Sequence, residues 1–583
     1  ARAETQAAEQ AKRRRVWIGL AASLLVGFVA SLALAAWAIR AERIAATERD
    51  AKQEALGAET AARNREKQAR EQAMAALDTL TDDLVENQIA RGPFLTEENK
   101  ALLRKTIEQY ERFAALTGDD AESRSIRAKG YLRVGLMHYR LGELTEAERS
   151  LNAAVEIMQM LAAEYPGRAG YHTDLATCLV HRGSFLREIG RSLDAESDYA
   201  AALNILTILL QQHPDQSHLM VHLAALYNRR GILLQRTNRF KEAQEELNAA
   251  IDLYECLIDE SKTLSHFRVD LANSYNNRAN LFTSFGQLSK AENDYQRALA
   301  LYQAFTSEYP FHSECRANMA NTHNNLAILY WRRNQLPEAE KEFGAAIEIE
   351  KRLVGDFPAR PDFRMDLART LSNRASVYLQ KGMLKEAESD LIGAVDLQMQ
   401  LVNQFSDQPD RHNELAGTCV NLALLLRQRG DLAGAKQRLL AGRPHHLAAL
   451  AADPRRQDYR QFYHNHLRLL AEVHASLLER EDVLRLTSVR RDVGWHPASD
   501  AYSAACTLCR CCDIVEKHDM LDAEQQQAAR QFYADHAMAM LRDAVSKGFR
   551  DAKRLRQDPA LAPLRDRQDF QALLAELEKE PPQ

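Results

Sequence analysis

The chain has 583 residues, 76 of them basic and 81 acidic, for a formal net charge of −5. It therefore lacks the overall positive field that binding to nucleic-acid phosphates requires, and nucleic acid is not an expected partner. Glycine (24) and proline (15) are sparse, which favours long helices over strands and hairpins. The composition therefore predicts an all-α chain. Because its length exceeds what one hydrophobic core usually serves, several structural units are expected.

The N-terminal part carries a predicted membrane span. Residues 16–39 are uncharged, and as a helix they would extend roughly 36 Å, which exceeds a bilayer core of about 30 Å. The basic cluster Lys12–Arg15 precedes the run, and Trp17 and Trp37 lie near its two ends, where aromatic rings favour the headgroup region. This predicts a cytoplasmic basic segment (1–15), a single-pass cell-membrane helix and extracytoplasmic repeats. Basic residues after the span nearly match the cluster before it, so cytoplasmic repeats stay open as the alternative.

Residues 40–92 consist mainly of alanine and interleaved charges without proline, a composition that predicts a long polar helical stalk. Self-association of the protein through this stalk is a hypothesis only, because its apolar positions are few and small for a coiled coil. A further helix is predicted before the repeats, over residues 93–122.

Alanines recur every 48 residues and mark an internal repeat, namely Ala147, Ala195, Ala243, Ala291, Ala339, Ala387 and Ala435. A glycine or alanine stands twelve residues before each of them, from Gly135 to Ala423, and two small residues let a pair of helices approach closely. Between the two, the period places residues that adopt a left-handed backbone at low cost, namely Gly142, Gly190, Asn238, Gly286, Asn334, Gly382 and Gly430. Each repeat is therefore predicted to contain a helix, a tight turn and a second helix.

A large residue, another small residue and, in five repeats, a proline that ends the second helix complete the pattern. This order resembles the tetratricopeptide repeat, with both helices longer than in the usual unit of 34 residues. The resemblance implies a right-handed superhelical, all-α solenoid of long helix pairs, preceded by the transmembrane helix and the stalk. Seven repeats are assigned to residues 123–454, a degenerate repeat to 455–498, and a terminal repeat-like unit with a C-terminal cap to 499–583.

Asparagines recur on the first helices of the central repeats, although asparagine is a poor helix former. Within one helix they are spaced i, i+3, i+4 and i+7 and so share one face, and the full set is Asn273, Asn276, Asn277, Asn280, Asn321, Asn324, Asn325, Asn373 and Asn421. First helices of such solenoids line a concave surface, where a carboxamide can both donate to and accept from an extended peptide. The alternative interpretation is that these amides hydrogen-bond between repeats and set the twist of the solenoid.

The strings HNNLAILY (323–330) and VNLALLL (420–426) resemble repeats of kinesin light chains, in which an asparagine ladder contacts cargo peptides. This resemblance is local. It implies that protein or peptide partners would bind the asparagine face of this chain.

Other candidate sites are weaker. The cysteines of CTLCRCC (506–512) contain a Cys-x-x-Cys step but no second ligand pair with zinc-finger spacing, which favours packing over a metal or redox role. His445 and His446 in GRPHHL are interpreted as solvated side chains in a turn. No phosphate loop, kinase catalytic segment or nucleophile elbow occurs in the sequence, so no catalytic, cofactor-binding or metal-binding residue is predicted.

The order of basic cluster, span, charged stalk, long repeats and an ending of the type DPALAPLRDRQDFQALLAEL resembles the C-terminal part of bacterial transmembrane serine/threonine kinases. In that family a cytoplasmic kinase domain precedes the span. The chain begins at Ala1, which is expected of a fragment. Two functions therefore stay open, namely the sensor region of such a kinase and a stand-alone membrane adaptor that recruits proteins.

Overall fold

A computed structural model of the chain describes residues 72, 97–116, 118–260, 266–358 and 360–579. The predicted basic segment, the membrane span and, apart from residue 72, the stalk lie outside these residues. Among the helices that are described, none is both long enough and apolar enough to cross a membrane.

All regular secondary structure over residues 97–579 that the model describes is helical, as the sequence predicts. A single helix comes first, and paired helices follow. In chain order the helices are α1 (Glu97–Leu116), α2 (Ala121–Leu141), α3 (Leu144–Glu164), α4 (Ala169–Glu188), α5 (Ser192–Gln212), α6 (Ser217–Arg236), α7 (Phe240–Glu260), α8 (His266–Ser284), α9 (Leu288–Glu308), α10 (Ser313–Arg332), α11 (Leu336–Asp356), α12 (Pro361–Gln380), α13 (Leu384–Gln404), α14 (Pro409–Gln428), α15 (Leu432–Ala452), α16 (Gln457–Ser476), α17 (Arg480–Arg491), α18 (Pro497–Glu516), α19 (Ala523–Ser546), α20 (Ala552–Gln557) and α21 (Gln568–Lys579), with a 3-10 helix (Pro559–Leu564) between the last two.

The contacts divide the chain into two units, and the division falls within α2, between Val134 and Gly135. In the first unit, Leu103, Ile107 and Tyr110 are buried and lie on one face of α1 at helical spacing. The second unit contains α3 and the complete helix pairs from α4 onward. Its even-numbered helices are called first helices below, and its odd-numbered helices second helices.

The turn between the two helices of each of the seven repeats has a left-handed residue at the predicted position. The backbone φ of these residues lies between 58° and 83°, where glycine and asparagine are tolerated better than other residues. The degenerate repeat over residues 455–498 is called the eighth unit below. Its turn has Leu478 at the same position, with a φ of 62°. The turn geometry therefore persists in a unit whose sequence has lost the glycine.

The small residues make close packing of the paired helices possible. A Cβ placed on Gly183 would lie 2.8 Å from the Tyr199 ring, and one placed on Gly231 would lie 2.7 Å from Leu247. Both distances are shorter than van der Waals contact. Glycine therefore allows the first helix of these repeats to pack directly on the large residue of the second helix.

Ion pairs recur within the repeats. Arg278 on α8 forms a bidentate pair with Asp294 on α9, with N–O distances of 2.7 and 2.9 Å, and also donates to Asn248 on the preceding α7. The equivalent pairs in other repeats are Arg182–Asp198, Arg230–Glu246 and Arg374–Asp390. One arginine therefore connects its own helix pair to the pair before it.

A second set of ion pairs joins neighbouring repeats. The glutamates that follow five of the repeated alanines each contact a basic residue of the next repeat. These pairs are Glu148–Arg191, Glu196–Arg239, Glu292–Arg333, Glu340–Lys381 and Glu388–Arg429. Their regular recurrence reflects junctions between repeats, and each exposed pair contributes at most about 1 kcal/mol.

A short C-terminal segment covers the last helix pair of the chain. In the eighth unit α17 has 12 residues, whereas the second helices of the seven repeats have 21. After the last long pair, α18 and α19, the buried side chains Leu555, Leu561, Leu564 and Phe570 pack over the final helices. The 3-10 helix contacts α18 directly, so this segment covers apolar surface that a further repeat would otherwise bury.

Candidate functional site

Four asparagines occupy equivalent positions on successive first helices and are called the amide row below: Asn277 on α8, Asn325 on α10, Asn373 on α12 and Asn421 on α14. They are spaced 48 residues apart. Because every first helix has the same register, the four carboxamides lie on the same face of neighbouring helices.

Three members of the amide row donate a hydrogen bond to the preceding repeat. The Nδ2 atoms of Asn277 and Asn373 lie 2.9 and 3.1 Å from the Oδ1 atoms of Asn228 and Asn324. That of Asn325 lies 3.3 Å from Oδ1 of Asn280. Each of these amides therefore directs its nitrogen at the preceding first helix.

The side-chain oxygens of the amide row have no hydrogen-bond partner within the described part of the chain, and they are not buried. Asn421 is exposed and has neither its oxygen nor its nitrogen hydrogen-bonded there. Since a carboxamide oxygen accepts up to two hydrogen bonds, the row presents acceptors at a fixed period along one face of the solenoid.

The other predicted asparagines use their oxygens inside the structure. Oδ1 of Asn273 accepts from Tyr302 and Asn318, Oδ1 of Asn276 accepts from Thr322, and Oδ1 of Asn321 accepts from Arg369. Oδ1 of Asn280 also accepts from Tyr295 on α9. Most of these bonds join neighbouring repeats, as the alternative interpretation of the asparagines expects. Binding of a partner by the nine asparagines stays a prediction.

Two residues of this network were missed in the sequence. Asn228 lies 48 residues before Asn276 and provides the acceptor for Asn277. Asn318 donates 3.0 Å to Asn273 from the next first helix. The period would have identified Asn228, but nothing in the sequence separates Asn318 from an ordinary exposed asparagine.

Charged residues near the amide row are paired. Asp366 and Glu414 lie seven residues, or about two helical turns, before Asn373 and Asn421 on the same face. Asp366 pairs with Arg369 at 2.7 Å, and Glu414 pairs with Arg411. Burial raises the pKa of both carboxyl groups. The carboxylates beside these two members of the row are therefore each paired with an arginine.

A buried polar position recurs where a second helix packs on the next first helix. It holds Tyr302, Glu350, Gln398 and His446 in consecutive repeats. Glu350 accepts a hydrogen bond of 2.9 Å from the Thr370 hydroxyl, while its other oxygen has no partner in the part of the chain that the structure describes. Burial raises the pKa of Glu350 to about 8, so this carboxyl group is mostly protonated at neutral pH.

The cysteine cluster lies in the core of the C-terminal units. Cys509, Cys511 and Cys512 on α18 are fully buried among apolar side chains, and none of the cysteines in the described residues forms a disulfide. Burial raises the pKa of Cys506 to about 11 and that of Cys512 to about 12. These groups are protonated, uncharged packing residues at neutral pH.

The turn predicted at GRPHHL is wrong. Residues 442–447 lie inside α15, and the helix continues through Pro444. His446 is buried against α16 instead of solvated, and its ring contacts that of His466. The proline suggested a break, but packing on both sides holds the helical backbone, which is a tertiary effect that local sequence does not report.

His474, Glu479 and Asp482 lie close enough to one another to share a cation. However, the Lys436 ammonium lies 2.7 and 2.8 Å from the two oxygens of Glu479, and His474 lies 2.5 Å from the same carboxylate. This group is therefore already an ion-paired network that joins α15 to the turn before α17.

Comparison with known proteins identifies the repeat. Models of the tetratricopeptide repeat family match residues 224–255, 271–304 and 319–362, which lie in the helix pairs from α6 to α11 and reach the start of α12. No curated protein sequence matches the chain.

Several solved structures are similar over large parts of their length. They include the apo form of RapI (13% identity, 72% of this chain and 99% of that one, TM-score 0.44) and the apo form of the quorum sensor NprR from B. thuringiensis (15% identity, 73% and 99%, TM-score 0.36). BtubC (BKLC) from P. vanneervenii is 24% identical over 44% of this chain and 90% of its own, with a TM-score of 0.36.

The family matches fall on helix pairs whose turn and packing residues recur every 48 residues. The pairs differ from the 34-residue unit mainly in length, since most of their helices have 20 or 21 residues. The helix pairs within residues 224–362 therefore match the tetratricopeptide repeat, with lengthened helices.

Proposed function

We propose that the solenoid binds an extended peptide segment of a partner protein along the amide row. The observation that carries this proposal is the orientation of the row. Asn277, Asn325 and Asn373 direct their nitrogens at the preceding repeat and leave their oxygens open, so each oxygen can accept a backbone N–H of a peptide.

The inter-repeat hydrogen bonds support this function. A carboxamide whose nitrogen is already bonded has a defined orientation, and its oxygen is therefore held in position before a ligand arrives, which lowers the entropy cost of binding. The paired charges beside the row favour recognition of the peptide backbone over recognition of charge. We therefore expect affinity to depend only weakly on salt.

A binding experiment with the full chain tests the proposal. Peptides are selected from a random dodecapeptide library, and their Kd values are measured for the native protein and for Asn421→Ala. Loss of one hydrogen bond of 0.5–1.5 kcal/mol is expected to weaken binding about 2- to 12-fold. The melting temperature is expected to stay unchanged, because Asn421 has no partner to lose within the described residues.

Gln400→Ala is the matched control, since Gln400 is an exposed amide on the second helix α13 and lies away from the row. It should leave both Kd and melting temperature unchanged. Peptides that bind Asn421→Ala and the double variant Asn277→Ala/Asn325→Ala as tightly as the native protein would refute the proposal, as would a selection that enriches no peptide.

We also propose that the protein is a single-pass membrane protein with extracytoplasmic repeats and is the sensor region of a serine/threonine kinase. These proposals are supported only by the sequence pattern of residues 1–92 and of the C-terminal end. A reporter fused after residue 583 tests the orientation. Glycine-rich-loop, His-Arg-Asp and Asp-Phe-Gly segments encoded in frame before Ala1 would support the kinase. A start codon without them would favour the stand-alone adaptor.

A further inference from the structure

The helix α15, the second helix of the seventh repeat, has an interrupted hydrogen-bond ladder. Pro444 lies in its middle, and among the described α-helices this is the one proline beyond a first turn. Proline has no backbone N–H, so the ladder lacks one bond there, and its ring crowds the preceding turn. The helix therefore depends on its neighbours α14 and α16 more than an uninterrupted helix would.

A histidine pair joins α15 to α14. Nδ1 of His445 lies 2.9 Å from Nδ1 of His412, and Nε2 of His412 lies 3.0 Å from the carbonyl oxygen of Ser406. The bond to the carbonyl requires a proton on Nε2 of His412, so its Nδ1 is the acceptor and His445 is the donor. A proton on one ring alone preserves the contact, because a protonated His412 can donate from Nδ1 to a neutral His445. The contact is lost when both rings are protonated, since neither Nδ1 is then an acceptor.

A second histidine pair joins α15 to α16. The rings of His446 and His466 meet edge to face with centroids 5.1 Å apart, and the two side chains are 1% and 0% exposed. Within the described residues, none of their four ring nitrogens has a hydrogen-bond partner of normal geometry, although the Leu439 backbone interacts weakly with the His466 ring. A proton on either ring would place an unpaired charge in the core, which is costly.

The groups around this second pair do not compensate such a charge. On α15 the nearest ones are the guanidinium of Arg443 and the imidazole of His445, both of which disfavour a proton. The Tyr463 ring of α16 packs on His446, and the Cβ of Cys419 on α14 lies against the same helix at Gly442. Burial raises the pKa of the Cys419 thiol to about 11. Burial lowers the pKa of His446 to about 4 and that of His466 to about 3.

We propose that α15 is an acid-sensitive joint in the solenoid, at which protonation of the two histidine pairs below about pH 6 separates α15 from α14 and α16. In acid each pair would bring two like charges together, and opening lets the rings be protonated in water. The helix with the interior proline then loses its contacts on both sides. The packing of α16 on the seventh repeat is loosened there, while the repeats before α14 keep their packing.

Hydrogen exchange of the full chain at pH 7 and pH 5, corrected for the intrinsic rate, tests the proposal. With pKa values of about 6.5 in the open state, protonation of His446 and His466 should raise the open population about 500-fold. Protection of α15 and the first half of α16 is expected to fall by this factor. The reference helix α9 contains no histidine and should change less than about fivefold.

The double variant His446→Gln/His466→Thr is the matched control, because Gln398 and Thr418 hold the equivalent positions one repeat earlier. In this variant, most of the difference in hydrogen-exchange protection of α15 between pH 7 and pH 5 should disappear. Equal protection of α15 and α9 at pH 5 in the native chain would overturn the proposal. So would a folded double variant that loses protection as strongly as the native chain. Should the variant not fold, the comparison of α15 with α9 in the native chain decides.

Discussion

Replacing Arg278 by leucine is expected to lower the free energy of unfolding by about 3–5 kcal/mol. The change removes both N–O contacts to Asp294, whose side chain is 6% exposed, and leaves this carboxylate buried without a counter-ion. Breaking a buried ion pair on one side carries a cost of this size. Urea unfolding followed by circular dichroism measures the loss, and hydrogen exchange in α8 and α9 locates it.

The double variant Arg278→Leu/Asp294→Leu should recover most of this stability, because two apolar side chains can replace a buried ion pair at little cost. The chain already contains one such apolar pair. Leu470 and Leu486 occupy the corresponding positions of the eighth unit, and both are buried. A single variant that loses less than about 1 kcal/mol, or a double variant as unstable as the single one, would show that the ion pair does not hold the helix pair together.

Glu350→Gln is expected to stabilise the protein at alkaline pH. The folded-state pKa of about 8 lies above the ordinary glutamate value of 4.5. Stability linked to this group is therefore fully present below pH 4.5 and is lost as the pH rises from 4.5 through 8. The loss reaches about 4 kcal/mol at pH 8, since each pKa unit corresponds to about 1.4 kcal/mol. Glutamine keeps an oxygen for the Thr370 hydroxyl and does not ionise.

The difference in urea midpoint between Glu350→Gln and the native protein at pH 5 and pH 8 measures this effect, because contributions of other groups cancel in the difference. The variant should gain stability relative to the native protein as the pH rises. Gln398→Glu, which places a carboxyl group at the same position of the next repeat, should show the opposite change. A pH-independent difference for both variants would mean that Glu350 is ionised in the folded state.

The fold was predictable because its determinants recur. The glycines and asparagines from Gly142 to Gly430 marked seven turns, and each has the expected backbone. The period also contained the arginine and acidic residues that form the pairs within repeats, such as Arg278 and Asp294, but charged residues at helical positions normally indicate solvent and were not distinguished. The periodic sequence thus predicted backbone geometry better than it predicted side-chain pairing.

The candidate site was predictable in position but not in detail. Helical spacing placed the asparagines on one face, whereas the direction of each amide depends on the relative position of neighbouring first helices. The repeat does not encode that position locally. For the same reason the sequence could not show that Asn277 donates to Asn228 while Asn421 has no partner among the described residues. At α15 the interpretation of GRPHHL as a turn was wrong, because packing on neighbouring helices preserves a helix there.

A double-mutant cycle between an asparagine of the amide row and the peptide backbone tests the central claim most directly. Calorimetry would measure binding of a selected peptide, and of versions N-methylated at one backbone amide each, to the native protein and to Asn421→Ala. For one N-methyl position the two changes should be coupled by about 1 kcal/mol, because both remove the same hydrogen bond. If the losses of binding free energy from Asn421→Ala and from N-methylation are additive at every position of the peptide, this would contradict peptide binding along the amide row.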